Sequence, residues 1–264
     1  MAGHSQSTRT LRLAEIARSA IMRWILPFRY SLAAGALIII SFYLTMVALS
    51  NNQEEITIFT DIATLLINVL VTLALFYASI YCYFNGKRVY LAWLILAIAR
   101  LDYTIADVFW AYIEIILKET PFPSMADYFY MAYYPLFLLG IFFLPSIKFT
   151  SRERLKMMLD TGIVMISSII IFWSLLIAPT IQESGNIDAI SLALSIAYPV
   201  ADLVLLFAVL ELIFKKIYEK GQTSLLFLVG GIIILIITDA FFFRQTAVGT
   251  YVAGGLLDMG WPTA

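Results

Sequence analysis

The sequence predicts an all-α, polytopic membrane protein: a bundle of seven complete membrane-spanning helices and a truncated eighth, with a cytoplasmic N-terminus. Of its 264 residues, 62% are hydrophobic and only 13% are charged, and the mean hydropathy is +0.91. Soluble domains are about half apolar and about a quarter charged. The apolar residues fall in blocks whose lengths are close to the roughly 20 residues that a helix needs to cross a bilayer. Loops that are rich in basic residues alternate along the chain with loops that are poor in them.

Residues 1–30 form a basic, amphipathic tail, which we expect to lie in the cytoplasm or at the membrane interface, ahead of a transmembrane bundle over residues 31–264. Apolar residues from Leu11 to Ile25 are interleaved with arginines, a pattern typical of a helix on an anionic membrane surface. A secretory signal peptide is the alternative, because residues 48–50 weakly resemble a cleavage site. The preceding apolar run is too long for such a peptide, so an anchor that stays in place is favoured.

The apolar blocks predict seven spans in chain order. They are Ser31–Leu49, Ile62–Phe84, Leu91–Leu117, Met125–Ile147, Met157–Ile177, Ser191–Phe214 and Ser224–Phe243. An eighth begins near Tyr251. Only about 14 residues remain there, too few to cross a bilayer, so we expect a helix that is cut short. A re-entrant or interfacial tail is the alternative.

The loop charges predict the orientation of these spans. Fourteen of the 17 basic residues lie in the tail and in the loops after spans two, four and six. These residues are Arg9, Arg12, Arg18, Arg23, Arg29, Lys87, Arg88, Lys148, Arg152, Arg154, Lys156, Lys215, Lys216 and Lys220. The opposite loops carry only Lys118 and Arg244 and are otherwise acidic. Because basic loops stay in the cytoplasm, the N-terminus is predicted to be cytoplasmic and the cell membrane is the expected location.

Acidic residues interrupt the spans, and a charged group at the centre of a lone membrane helix costs roughly 2.5–3.5 kcal/mol. These acids include Asp102, Asp107, Glu114, Asp127, Asp202, Asp239 and Asp258. The one basic residue deep in a span is Arg100, and it lies two turns from Asp107 on one stripe of span three. Asp202 lies at a similar depth in span six. We therefore expect a structural ion pair between Arg100 and Asp202.

The predicted topology places most of the remaining acids in the outer half of the membrane, together with aromatic residues. We expect these residues to line a cavity that is open to the outside. Such a cavity suits a small cationic ligand through charge and cation–π attraction. It could instead sense protons, because burial and mutual repulsion favour protonated carboxyls. The candidate ligand-binding residues are Asp107, Trp110, Glu114, Asp127, Tyr134, Asp239 and Asp258. Helix-packing hydrogen bonds are the alternative role for the acids, and Asp127 also has the spacing of a helix-capping residue after Ser124.

Several kinds of chemistry are excluded or disfavoured by what the predicted spans lack. No span contains lysine, which excludes a retinal Schiff base, and none contains histidine, which disfavours haem, zinc or copper. The sequence has no phosphate-binding glycine loop and no nucleophile motif. We therefore expect no cofactor, no metal, no catalytic residue and no enzymatic activity. A net charge of −1 argues against a nucleic-acid partner.

Four short motifs resemble a known family. The first and second have the forms PSxAD…YP and YPxxD, and the others are two short stretches around single aspartates. They are Pro123-Ser124-Met125-Ala126-Asp127-Tyr128 with Tyr133-Tyr134-Pro135-Leu136, Ala197-Tyr198-Pro199-Val200-Ala201-Asp202, Thr238-Asp239, and Leu257-Asp258-Met259-Gly260-Trp261. The sequence after about residue 60 resembles the multi-pass N-terminal membrane region of archaeal PAS-containing sensor histidine kinases, which also heads bacterial GGDEF/EAL proteins.

The resemblance implies a membrane-embedded sensory module whose eighth helix leads into a cytoplasmic transmitter, although no PAS, kinase or cyclase segment lies in this sequence. We accordingly expect signal transduction, with a small ligand, for which a cation is one option, or protons bound in the cavity on the outer side. The expected partners are the lipid bilayer, that ligand, a cytoplasmic signalling domain or protein and, as an option, a second copy of the chain in a homodimer. The alternative function is a proton- or cation-coupled transporter or channel.

Overall fold

A computed structural model describes residues 28–145, 149–183, 188–214 and 222–264, and within these residues the chain is helical with no strand. The seven long helices are α1 (Phe28–Leu49), α2 (Gln53–Cys82), α3 (Lys87–Ala111), α4 (Met125–Phe143), α5 (Ser151–Phe172), α6 (Ala189–Phe214) and α7 (Gln222–Val248). A π-helical turn extends α3 over Tyr112–Leu117. Another extends α5 over Trp173–Ile177, and a further helical stretch follows it over Ala178–Glu183.

All seven helices are long and apolar enough to cross a membrane, which confirms the predicted seven-helix membrane bundle. Their outward faces are apolar as well. In the most apolar stretch of α1 and of α5 only 11% of the residues are buried inside the protein, and leucine and isoleucine side chains such as Leu37, Leu66 and Ile163 remain exposed. A surface of this kind needs lipid to cover it.

The core lies between α3, α4, α6 and α7. Small and aromatic side chains alternate there, such as Ala99 and Tyr103 from α3 against Tyr133 from α4 and Leu205 from α6. At Gly140 in α4 the backbone approaches α3 so closely that a Cβ atom would lie 2.7 Å from a Leu96 methyl group. Helices α1 and α5 pack on the periphery, and α5 buries no residue along Ser151–Phe172.

Helices α2 and α5 begin six or more residues earlier than the apolar blocks predicted, because polar residues cap their first turns. Helix α2 begins at Gln53, nine residues before the predicted span, where the side chain of Asn52 accepts a hydrogen bond from the Glu55 N–H at 3.4 Å. Helix α5 begins at Ser151, where Thr150 and Glu153 form a capping box. Caps stabilise polar helical turns that hydropathy alone does not detect. The extra turns of α2 bring one more acid, Asp61, inside the bundle.

The chain after α7 does not begin an eighth helix near Tyr251 as predicted. Gly249 and Gly254 have positive φ angles of 69° and 76°, which turn the chain back towards the bundle. A 3₁₀ turn follows over Leu256–Met259 and a short terminal helix over Gly260–Thr263. These residues pack against α7, α2 and α1.

Gly260 is expected to be intolerant of a side chain, because a Cβ atom there would lie within 2.8 Å of three atoms of Thr238 in α7. We expect Gly260→Ala to lower the free energy of unfolding by about 1–3 kcal/mol and to shift the terminal helix. Thermal unfolding in detergent would measure the change. Gly162→Ala is the matched control, since nothing lies within 4 Å of that position. An equal effect of both substitutions would contradict this packing.

The tail before Phe28 and the basic residues Lys148, Lys215, Lys216 and Lys220 lie outside the described residues. The predicted surface helix of the tail therefore stays a prediction, as does the cytoplasmic orientation of the N-terminus.

Candidate functional site

An inner cavity of about 100 Å³ lies at the end of the bundle where α3 ends and α4 begins. Water occupies about 30 Å³ per molecule in the liquid, so the cavity has room for a few waters or a solute of a few heavy atoms. Its walls come from α2, α3, α4, α6, α7 and the terminal segment. The polar and aromatic lining residues are Thr60, Asp61, Thr64, Tyr103, Asp107, Trp110, Phe122, Asp127, Tyr130, Tyr134, Tyr198, Asp239, Phe242, Phe243, Tyr251, Asp258 and Trp261.

Asp107 lies near the end of α3 and is only 9% exposed. Its Oδ1 accepts a hydrogen bond from the Tyr130 hydroxyl at 2.8 Å, and its Oδ2 accepts one from Asn68 Nδ2 at 2.5 Å. Asn68 in turn accepts a hydrogen bond through Oδ1 from Arg100. Asn68 therefore connects a cavity carboxylate to the buried guanidinium of Arg100.

Asp127 caps α4, as its spacing after Ser124 predicted, and it also lines the inner cavity. Its Oδ2 accepts a hydrogen bond from the Ser124 N–H at 2.6 Å, completing the capping box at the start of α4. Its Oδ1 accepts a hydrogen bond from the Tyr198 hydroxyl of α6 at 2.5 Å, and the residue lines the inner cavity. Asp127 thus fixes the start of α4 and joins it to α6.

Asp239 of α7 lies beside Asp202 of α6. Asp239 Oδ1 accepts a hydrogen bond from Trp261 Nε1 at 2.8 Å. The Tyr134 hydroxyl lies 3.4 Å from Asp239 Oδ2 and 3.5 Å from Asp202 Oδ1. Asp239 lines the cavity, whereas Asp202 lies behind it and is fully buried.

Asp258 lies in the 3₁₀ turn beyond α7. Its carboxylate accepts hydrogen bonds from the Gly254 N–H at 2.5 Å and from the Tyr251 hydroxyl at 3.1 Å. Burial raises the pKa of Asp258 to about 7, although these two hydrogen bonds act in the opposite direction. The negative charge of nearby Glu114 raises this pKa further.

A common arrangement emerges from these contacts: aromatic residues donate hydrogen bonds to the carboxylates around the inner cavity. The donor–acceptor pairs are Tyr130–Asp107, Tyr198–Asp127, Tyr134 and Trp261 with Asp239, and Tyr251–Asp258. Asp61 differs, because its Oδ2 is buried without a hydrogen-bond partner. Five carboxylates line this cavity, and none of its lining residues is basic.

A second, wide cavity of about 760 Å³ adjoins the first at the helix ends. Glu114 lines it and accepts a hydrogen bond from Trp110 Nε1 at 2.8 Å. Lys118 lines it too, in an exposed ion pair with Glu54 at 2.6 Å. Four aromatic residues line both cavities and lie between them: Trp110, Phe122, Phe242 and Tyr251.

The structure brings together the residues that the sequence singled out as ligand-binding. Asp107, Trp110, Asp127, Tyr134, Asp239 and Asp258 line the inner cavity, and Trp110 also lines the wide cavity, where Glu114 lies. Whether any of them binds a ligand stays a prediction.

The ion pair between Arg100 and Asp202 is not formed among the described residues. Arg100 instead hydrogen-bonds Asn68 and lies 5.0 Å from the centre of the Tyr103 ring. Asp202 contacts Tyr134 and Asp239. The prediction was wrong because equal depth in two helices does not fix which faces they turn towards each other, and α2 supplies Arg100 with a nearer partner.

Sequence reasoning missed three kinds of site residue. Asp61 lay just outside the predicted second span, although the Asn52 cap would have placed it two turns inside α2. Asn68 is a lone amide in an apolar block, and amides in membrane helices often form interhelical hydrogen bonds. The tyrosines that donate to the acids carry no distinguishing signal, because aromatic residues are also common at membrane interfaces.

In the described part of the chain, no group of three or more histidine, cysteine, aspartate or glutamate side chains is arranged to hold a metal ion. Comparison with protein family models, with curated proteins and with solved structures finds no match.

Proposed function

We propose that this chain is the membrane-embedded sensory input module of a signal-transduction protein and that it binds a small monovalent cation or protons in the inner cavity. The observation that carries the proposal is the charge of that cavity, which has five carboxylates and no basic residue among its lining residues. A cation or protons would offset this excess of acid. The faces of Tyr103 and Trp110, which also line the cavity, suit a cation through cation–π attraction.

The orientation follows from the loop charges and is part of the same proposal. With the N-terminus in the cytoplasm, both cavities open towards the outside of the cell membrane. Binding would draw α2, α3, α4, α6, α7 and the terminal segment together, since all of them contribute lining residues. An eighth helix that continues from Gly260 would pass this movement to a cytoplasmic signalling domain or protein.

Binding of methylammonium, which matches the cavity in size and charge, tests this proposal. We expect methylammonium chloride to raise the unfolding temperature of the detergent-solubilised chain above that in sodium chloride of equal ionic strength, because a ligand that binds only the folded state stabilises it. Asp107→Asn and Asp239→Asn should each weaken its apparent affinity at least about tenfold, which corresponds to about 1.4 kcal/mol.

Asp102→Asn is the matched control, since Asp102 is in α3 but does not line either cavity. Its substitution should leave the apparent affinity unchanged. A methylammonium effect that survives both cavity substitutions would place binding elsewhere. The absence of any effect in the unsubstituted chain would overturn a cationic ligand.

A transporter or channel is the second candidate, favoured by polar residues that α2 buries below the cavity. Asn68, Thr72 and Ser79 follow one another along the buried face of α2, and the hydroxyl groups of Thr72 and Thr104 lie 2.9 Å apart. Buried polar residues inside membranes often mark ion or proton paths. Proton or cation flux in liposomes that contain the purified chain would favour this reading over a sensor.

A further inference from the structure

The carboxyl groups of Asp202 and Asp239 form a pair deep in the bundle. Asp202 is 0% exposed and Asp239 is 7% exposed. The Tyr134 hydroxyl lies within 3.5 Å of an oxygen of each carboxyl group, so the two groups are close neighbours. Two ionised carboxylates cannot hydrogen-bond each other, because each offers only acceptor atoms.

The donors around this pair are too few for its four oxygen atoms. Trp261 Nε1 donates to Asp239 Oδ1. The Tyr134 hydroxyl contacts one oxygen of each carboxyl group, but its single proton can satisfy only one of them. Asp202 Oδ2 has no hydrogen-bond donor. One additional proton, held between Asp202 and Asp239, completes the set.

The charged and titratable groups that face the pair supply no compensating positive charge. Tyr134 and Tyr133 face it from α4, Tyr103 from α3 and Tyr198 from α6. All four are neutral phenols at neutral pH. Arg100, the basic residue deepest in the described bundle, is hydrogen-bonded to Asn68 and forms no ion pair with either acid. Two adjacent negative charges in such a place are strongly disfavoured.

We propose that Asp202 and Asp239 form a proton-binding site at the wall of the inner cavity, which holds one shared proton and releases it when a cation binds in the cavity. The first half stands on the contacts above, and the second half rests on the proposed function. A cation beside Asp239 stabilises its carboxylate. The shared O–H bond then breaks and the proton leaves to solvent, so that one positive charge enters as another departs.

Infrared absorption by protonated carboxyl groups tests the shared proton. At neutral pH we expect Asp202→Asn and Asp239→Asn each to remove the absorption of a single protonated carboxyl, and the double variant to remove no more than either alone. Asp102→Asn is the control, and any loss it causes should add to that of Asp202→Asn. A shared proton would be overturned by any of three results: no loss of this absorption in either single variant, a loss in only one of them, or a twofold loss in the double variant.

Tyr134→Phe keeps the test decisive if an amide variant does not fold. It retains both carboxyl groups and removes the hydroxyl that contacts both of them. We expect the carboxyl absorption to keep its area and to shift in frequency, because the pair loses one hydrogen bond. An absorption that does not shift would place the protonated acid elsewhere.

Proton release on methylammonium binding tests the second half. In weakly buffered solution near neutral pH, a pH-sensitive dye should report roughly one proton released per bound cation, and none per bound cation for Asp202→Asn. Binding without proton release overturns this inference and leaves the proposed function in place. Failure of methylammonium to bind at all overturns the cationic ligand and the release step together, whereas the infrared result still decides whether the proton is shared.

Discussion

Asn68→Leu is expected to lower the free energy of unfolding by about 3–5 kcal/mol, the range found when one member of a buried charged network is removed. Asn68 is fully buried and bridges two charged groups, donating to Asp107 and accepting from Arg100. Leucine has a similar volume but neither a donor nor an acceptor. It would leave the guanidinium with its Nε still unpaired and remove one of the two hydrogen bonds to the Asp107 carboxyl group.

Thr72→Val is the matched control, because Thr72 lies one turn further along the same face of α2. It loses only the hydroxyl contact with Thr104, and hydrogen bonds between membrane helices contribute about 0.6 kcal/mol on average. Reversible unfolding in mixed detergent micelles would measure both variants. An effect of Asn68→Leu no larger than that of Thr72→Val would show that the bridge contributes little to stability.

Asp127→Ala is expected to lower the free energy of unfolding by roughly 2–4 kcal/mol, because it removes two separate interactions. The capping box at the start of α4 contributes about 1 kcal/mol. A buried hydrogen bond from a hydroxyl to a carboxylate, here from Tyr198 at 2.5 Å, contributes about 1.5–3 kcal/mol. The same unfolding measurement in micelles applies.

Two further variants separate the parts of this effect. Ser124→Ala weakens the cap alone and should cost about 1 kcal/mol, whereas Tyr198→Phe removes the link to α6 alone. A double-mutant cycle between Asp127→Ala and Tyr198→Phe should show coupling, since the two side chains touch. If the two changes in the free energy of unfolding were strictly additive, the hydrogen bond between α4 and α6 would contribute nothing to stability.

The seven membrane helices could be predicted from the sequence because lipid contact imposes a simple pattern. A helix that crosses hydrocarbon needs about 20 predominantly apolar residues, and the seven apolar blocks satisfy this condition without help from neighbouring helices. The helix ends were harder to place. Polar turns such as those after Asn52 and Thr150 are stabilised by single hydrogen bonds, which hydropathy does not register.

The convergence of the acids could also be predicted, because alternating helix direction places Asp107, Asp127 and Asp239 at one end of the bundle. Rotation of each helix about its own axis could not be predicted in the same way. Arg100 and Asp202 have similar depths but turn to different neighbours, and the choice depends on side chains far apart in the chain. The return of the terminal segment depends on Gly249 and Gly254, whose positive φ angles have no counterpart in hydropathy.

The aromatic donors around the inner cavity have a consequence for the thermodynamics of any guest. The carboxylates of Asp107, Asp127, Asp239 and Asp258 are held by hydroxyl, indole or main-chain groups. Their rotational freedom is therefore lost when the protein folds rather than when a guest arrives. A preorganised receptor of this kind avoids most of the entropic penalty of association, so even a guest of a few atoms can be held without a large contact area.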